Sequence, residues 1–73
     1  MKTNVRALRL DRGLSQAEFA RRLGISRQSV HSIETGRFDP SLPLAFKIAG
    51  LLEVPIEDVF DKPVVEEDPD SLR

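Results

Sequence analysis

Apolar residues recur along this 73-residue chain at intervals of three and four, and strict apolar–polar alternation is absent. The pattern predicts an all-α fold of five short helices. Val5 and Leu8 share one face of a first helix over about residues 4–12, with Thr3 or Asn4 to cap it and Gly13 to end it in a left-handed conformation. Ser15 and Glu18 have capping-box spacing, with Leu14 and Phe19 at the staple positions beside them. A second helix therefore runs from Gln16 to Leu23, buries Phe19, Ala20 and Leu23, and stops at Gly24. Ser26 caps a third helix only two residues later, which reaches about Glu34 and is closed by Gly36. Arg37, Phe38, Asp39 and Pro40 form a loop. Ser41 caps the fourth helix, where Pro43 sits in the first turn and its missing N–H costs little. Leu44, Ala45, Ile48, Ala49, Leu51 and Leu52 give that helix a wide apolar stripe, which marks it as the central core element. Pro55 opens a short fifth helix with Ile56, Val59 and Phe60 facing inward.

Beyond Asp61 the pattern breaks. Pro63 to Glu66 can form a short strand, and the acidic, proline-containing remainder is expected to be disordered. The chain thus divides into one compact five-helix domain over 1–61 and an acidic tail over 62–73. A domain this small buries only about 60% of the surface its unfolded chain exposes, so caps and single buried contacts carry weight.

Charge changes the picture more than composition does. Residues 1–50 hold nine Lys and Arg against four acids, whereas residues 51–73 hold two against eight. A net charge of -1 conceals a basic body and an acidic end, the distribution expected of a polyanion-binding face turned away from the C-terminus. With no cysteine and one histidine, a thiolate nucleophile, a disulfide and a structural zinc site are all excluded. No cofactor is expected. No apolar run approaches a membrane span or a signal-peptide centre, so the cytoplasm is the expected compartment.

The informative stretch is Gln16 to Arg37. Two short capped helices meet at Gly24, Ile25 and Ser26, a three-residue turn of helix-turn-helix length. Gly24 accepts positive φ, Ile25 packs between the helices, and Ala20 is small where the axes come closest. At about 100° per residue, Val30 and Ile33 set the buried side of the third helix, and Arg27, Gln28, His31, Ser32 and Thr35 centre roughly opposite. Forked donors, an amide and hydroxyls on an acid-free face suit the edges of base pairs. An ordinary solvated helix face is the competing reading; the capped partner helix and the turn beside it outweigh it.

The run Leu14-Ser15-Gln16-Ala17-Glu18-Phe19-Ala20, then Leu23-Gly24-Ile25-Ser26-Arg27-Gln28-Ser29-Val30, then Ile33-Glu34-Thr35-Gly36-Arg37 resembles the Cro/repressor-type helix-turn-helix of the XRE (xenobiotic response element) family. Pro40-Ser41-Leu42, Leu44 to Ala49 and Pro55 to Phe60 continue the match over about residues 4–61. The resemblance implies a lambda-repressor-like fold. It implies that Arg27, Gln28 and Ser32 face bases, and that Gln16, Ser29, Thr35 and Arg37 touch or approach the sugar-phosphate backbone, Gln16 also touching Gln28. It pairs Arg9 with Glu34 in a partly buried ion pair. His31 occupies a variable position and joins the base-reading set here from its place on the face. Ser32 stands where some relatives carry a longer side chain, which points to weaker or water-mediated readout there.

These readings converge on sequence-specific binding of double-stranded DNA by a transcriptional regulator, most simply a repressor. One such domain covers only about 600–1,000 Å², so a homodimer on a pseudo-palindrome with half-sites about 34 Å apart is expected. Leu51, Leu52, Val54, Phe60 and the tail are the interface candidates, as is pairing of residues 1–3 with the strand at 63–66. Catalysis is not expected, since Ser29, His31 and Ser32 have no orienting acid or oxyanion site. The principal alternative is an antitoxin or similar protein-binding module whose acidic tail covers a partner. A phage-type repressor or a restriction-modification controller would differ only in genetic context.

Overall fold

Three serine hydroxyls begin the architecture. In the computed structural model, which describes residues 3–60, α1 spans Val5–Asp11, α2 Gln16–Leu23, α3 Arg27–Glu34, α4 Leu42–Leu52 and α5 Ile56–Val59. The Oγ atoms of Ser15, Ser26 and Ser41 accept from the backbone N–H of Glu18, Ser29 and Leu44 at 3.0, 3.0 and 3.3 Å. Each satisfies one of the N–H groups that a helix start leaves unpaired. Gly24 ends α2 with φ +73°, a left-handed conformation that glycine adopts without a Cβ penalty. Lys47 completes that end by donating from Nζ to the Leu23 carbonyl at 3.0 Å, a cation on the negative end of the helix.

The core gathers one face of every helix: Val5 from α1, Phe19, Ala20 and Leu23 from α2, Val30 and Ile33 from α3, Ala45, Ile48, Ala49 and Leu52 from α4, and Val59 from α5, with Phe60 just beyond. Leu8, Leu14, Ile25, Leu44, Leu51, Val54 and Ile56 pack around its margin. α2 and α3 are in close contact, as the short turn demands.

The first and last described residues meet. The Asn4 backbone N–H donates to the Val59 carbonyl at 2.7 Å and Asn4 Nδ2 donates to the Asp58 carbonyl at 2.9 Å. Thr3 pairs with Phe60 in an isolated antiparallel bridge. The Asn4 side chain therefore reaches across to α5 instead of capping α1.

Three expectations need correction. Glu18 does not reach back to complete a capping box; its carboxylate turns along α2 to Arg21 and Arg22, two guanidiniums that outcompete one backbone N–H. Leu52 and Phe60 are unavailable as an interface, because both are buried in the core of their own chain. α1 starts at Val5, since Asn4 is drawn off to α5. The end of α4 adds a feature that the sequence does not signal: Glu53 takes the left-handed position, φ +59°, with its carboxylate 3.1 Å from Arg12 Nη2. The strand at 63–66, its pairing with residues 1 and 2, and the tail over 62–73 lie outside the described residues.

Candidate nucleic-acid interface

α3 is held from behind by its apolar side and by Glu34. Val30 and Ile33 are each 1% exposed. Glu34, at the edge of the buried side, folds its carboxylate inward to a side-chain exposure of 2%. There Oε2 accepts from Arg9 Nε at 2.7 Å, and Oε1 accepts from Arg9 Nη2 at 3.3 Å. Arg9 Nη1 donates to the Leu14 carbonyl at 2.7 Å. The guanidinium thus clamps α1, the approach to α2 and the end of α3 in one charge-assisted fork. Its burial removes the acid from the outward side of α3, where a carboxylate would repel phosphate.

Gln16, the first residue of α2, joins the same network. Its Nε2 donates to Glu34 Oε1 at 3.0 Å. The resemblance had paired Gln16 with Gln28; the bond in this structure goes to Glu34. One amide hydrogen is engaged inward, which leaves the second N–H and the carbonyl oxygen of Gln16 for a ligand.

The outward side of α3 carries the polar set. Arg27, Gln28, His31 and Thr35 are exposed, while Ser29 and Ser32 are half-buried at the edges. Gln16, Arg27, Gln28 and His31 line one shallow depression of about 430 Å³, open to solvent. The fold therefore brings four of the eight predicted DNA-contacting residues to one place, three from α3 and one from α2.

The remaining four stand apart from the depression. The hydroxyls of Ser29 and Ser26 lie 2.9 Å apart. Thr35 Oγ1 donates back to the carbonyls of His31 and Ser32, at 3.0 and 3.3 Å. Its one hydrogen is thereby committed within the helix. The Ser32 carbonyl also accepts from the backbone N–H of Arg37 and Phe38 at 2.9 and 3.2 Å, which closes the end of α3 and fixes where Arg37 leaves it. The Arg37 side chain is exposed.

Two features escaped sequence reasoning. The Lys47 bond to α2 joins residues 24 positions apart and has no local signature. The Glu18 cluster was within reach, because Arg21 and Arg22 stand at i+3 and i+4, the spacing at which helix side chains meet. Hydrogen bonding from Arg21, then from Arg22, holds the Glu18 carboxyl below its ordinary pKa, and Arg21 is raised in return.

Comparison with known proteins places these features. The family described as "Helix-turn-helix" matches residues 5–59. An HTH-type transcriptional regulator of Methanocaldococcus jannaschii is 48% identical over 60 residues, covering 82% of this chain and 91% of that protein. One from Methanothermobacter thermautotrophicus is 44% identical over 69 residues, covering 93% and 96%. Among solved structures, the restriction-modification controller protein C.AhdI of Aeromonas hydrophila superposes with a TM-score of 0.70 at 34% identity, over 77% of this chain and 85% of that one. A hypothetical transcription factor from Neisseria gives the same score and identity over 75% of this chain and 62% of its own. The relatives are regulators and not enzymes, and no helix among the described residues is long and apolar enough to cross a membrane. With its capped α2, left-handed Gly24 and outward-facing α3, the chain belongs to the XRE-type helix-turn-helix family of DNA-binding transcriptional regulators.

Proposed function

We propose that α3 lies in the major groove of double-stranded DNA and that the protein acts as a homodimeric repressor on a pseudo-palindromic operator. The observation that carries this reading is the acid-free depression formed by Gln16, Arg27, Gln28 and His31, with the nearest carboxylate, Glu34, folded behind it. Arg27 offers forked donors that suit guanine, and Gln28 an amide that suits adenine. His31 and Ser32 extend the reading surface. Gln16, Ser29 and Arg37 set register on phosphate, and Arg37 supplies the charge among them. Thr35, its hydroxyl hydrogen committed within the helix, approaches the backbone as a spacer rather than a donor. The bound dimer represses by occupying its site, in the cytoplasm at the nucleoid.

Selection of binders from random duplex DNA at near-physiological salt tests this reading. A two-fold symmetric site with half-sites about one helical turn apart is the expected product. A folded protein that enriches no sequence would contradict it and would favour the alternative, a protein partner engaged through the acidic tail.

A further inference from the structure

α4 turns Ala45, Ile48, Ala49 and Leu52 into the core. A second stripe, about 110° round the same helix, carries Leu42, Phe46 and Gly50 at four-residue spacing, and all three are exposed. Leu42 is 63% and Phe46 57% exposed, the two most exposed large apolar side chains among the described residues. Side chains four apart on a helix are neighbours, so the two form one apolar ridge. Val54, just past the helix, lies half-buried further along.

Gly50 is the unexplained member. It sits inside α4 with no positive φ, so the backbone does not need it. A Cβ built on it would meet nothing within 4 Å, so no neighbour in its own chain needs the space. Glycine weakens a helix interior relative to alanine, and the isolated fold gains nothing in exchange. What a helical glycine does offer is a bare stretch of backbone that a large side chain from outside can approach closely. A protruding ring and a recess therefore stand one turn apart on the same stripe.

We propose that this stripe is the surface on which a second copy of the chain docks, α4 antiparallel to α4, with the Phe46 ring of each copy seated over Gly50 of the other. A two-fold axis level with Ile48 matches ridge to recess twice, the self-complementarity that an isologous interface requires. Both halves of the joint belong to this chain, which is why the occupant is a second copy rather than a different protein. Leu42, Phe46 and the half-exposed Phe38 of the preceding loop offer together about 300 Å² of apolar surface. A standard interface takes about 800 Å² per partner, so the free dimer is weak and DNA carrying two half-sites completes it. The inference rests on the homodimer reading above and specifies its surface.

Sedimentation velocity over a concentration series, free and with the selected duplex, tests it on the full chain, Phe46→Ser and Gly50→Leu. Both variants retain the fold, since Phe46 is exposed and the space over Gly50 is open; circular dichroism checks this. The expected result is a weak wild-type dimer, tightened by DNA, with each variant raising the dimer dissociation constant at least ten-fold. If the wild type dimerises and both variants match it, this interface is wrong while the homodimer stands. If the wild type remains monomeric at every concentration, free and on DNA, both readings fall together.

Discussion

The α2–α3 unit and the junction of α1 with α5 are built by opposite means. Within α2–α3 nearly every terminus is secured by residues three or four positions away: Ser15 on Glu18, Ser26 on Ser29, Gly24 at the turn between. At the α1–α5 junction the securing bonds span more than fifty residues, from Asn4 to the carbonyls of Asp58 and Val59. The locally built unit carries the face proposed to read DNA. The non-local junction and the Arg9–Glu34 clamp hold that unit against the rest of the core. Removing a local contact should therefore loosen one helix end, whereas removing a long-range contact should loosen the whole domain.

The largest effect is expected at Arg9. Arg9→Ala leaves the Glu34 carboxylate buried with one amide donor in place of a guanidinium fork, which costs about 3–5 kcal/mol. Thermal unfolding should show a Tm lowered by tens of degrees or no folded baseline at all; a Tm within a few degrees of wild type would remove the clamp from the account. Next comes Val59→Ala at the junction. Val59 is fully buried, and the two missing methyl groups with the cavity they leave cost about 2 kcal/mol, measurable by urea unfolding. Less than half that loss would mean the junction contributes little.

Ser26→Ala sharpens the comparison from the other side. Loss of one N-cap costs about 1 kcal/mol, and hydrogen exchange should quicken first in the opening turn of α3 rather than throughout. Uniform quickening would show that the α2–α3 unit is not held locally. The smallest effect is the pH dependence of the Glu18 cluster. Because Arg21 and Arg22 depress the folded-state pKa of Glu18, the contribution is present above its ordinary value of 4.5 and fades as pH falls through the folded value. Screening by solvent keeps it small. Glu18→Gln should leave the same Tm near and below the folded pKa and a slightly lower one at neutral pH. A Tm difference that does not change with pH would refute the assignment.

The same contrast explains what the chain disclosed before its structure was described. The bounds of α2 and α3, the left-handed Gly24 and the inward side of Val30 and Ile33 follow from neighbours within one or two turns, and periodicity and capping chemistry expose such neighbours directly. Of the two capping candidates at α1, the carbonyls of α5 draw the Asn4 side chain away, while the Thr3 hydroxyl accepts from the Val5 N–H at 3.4 Å. Leu52 and Phe60 read as interface candidates in the sequence but join the core, because apolarity alone does not say which of two apolar surfaces a residue joins. Glu53 in a left-handed conformation went unforeseen, since a side chain there needs a reason from elsewhere, and Arg12 lies 41 residues distant. At the candidate site the residue types and their common side were legible. The turn of Gln16 toward Glu34 was not, because three side chains from three helices decide it.

The central claim is that α3 reads base edges, and Gln28→Ala tests it most directly. Affinities of wild type and variant should be compared at one salt concentration, on the selected site and on a shuffled duplex of equal length. The expected result is a loss of about 1–3 kcal/mol on the selected site and little change on the shuffled one. An equal loss on both duplexes would make Gln28 a backbone contact and contradict the assignment of α3 as the reading helix.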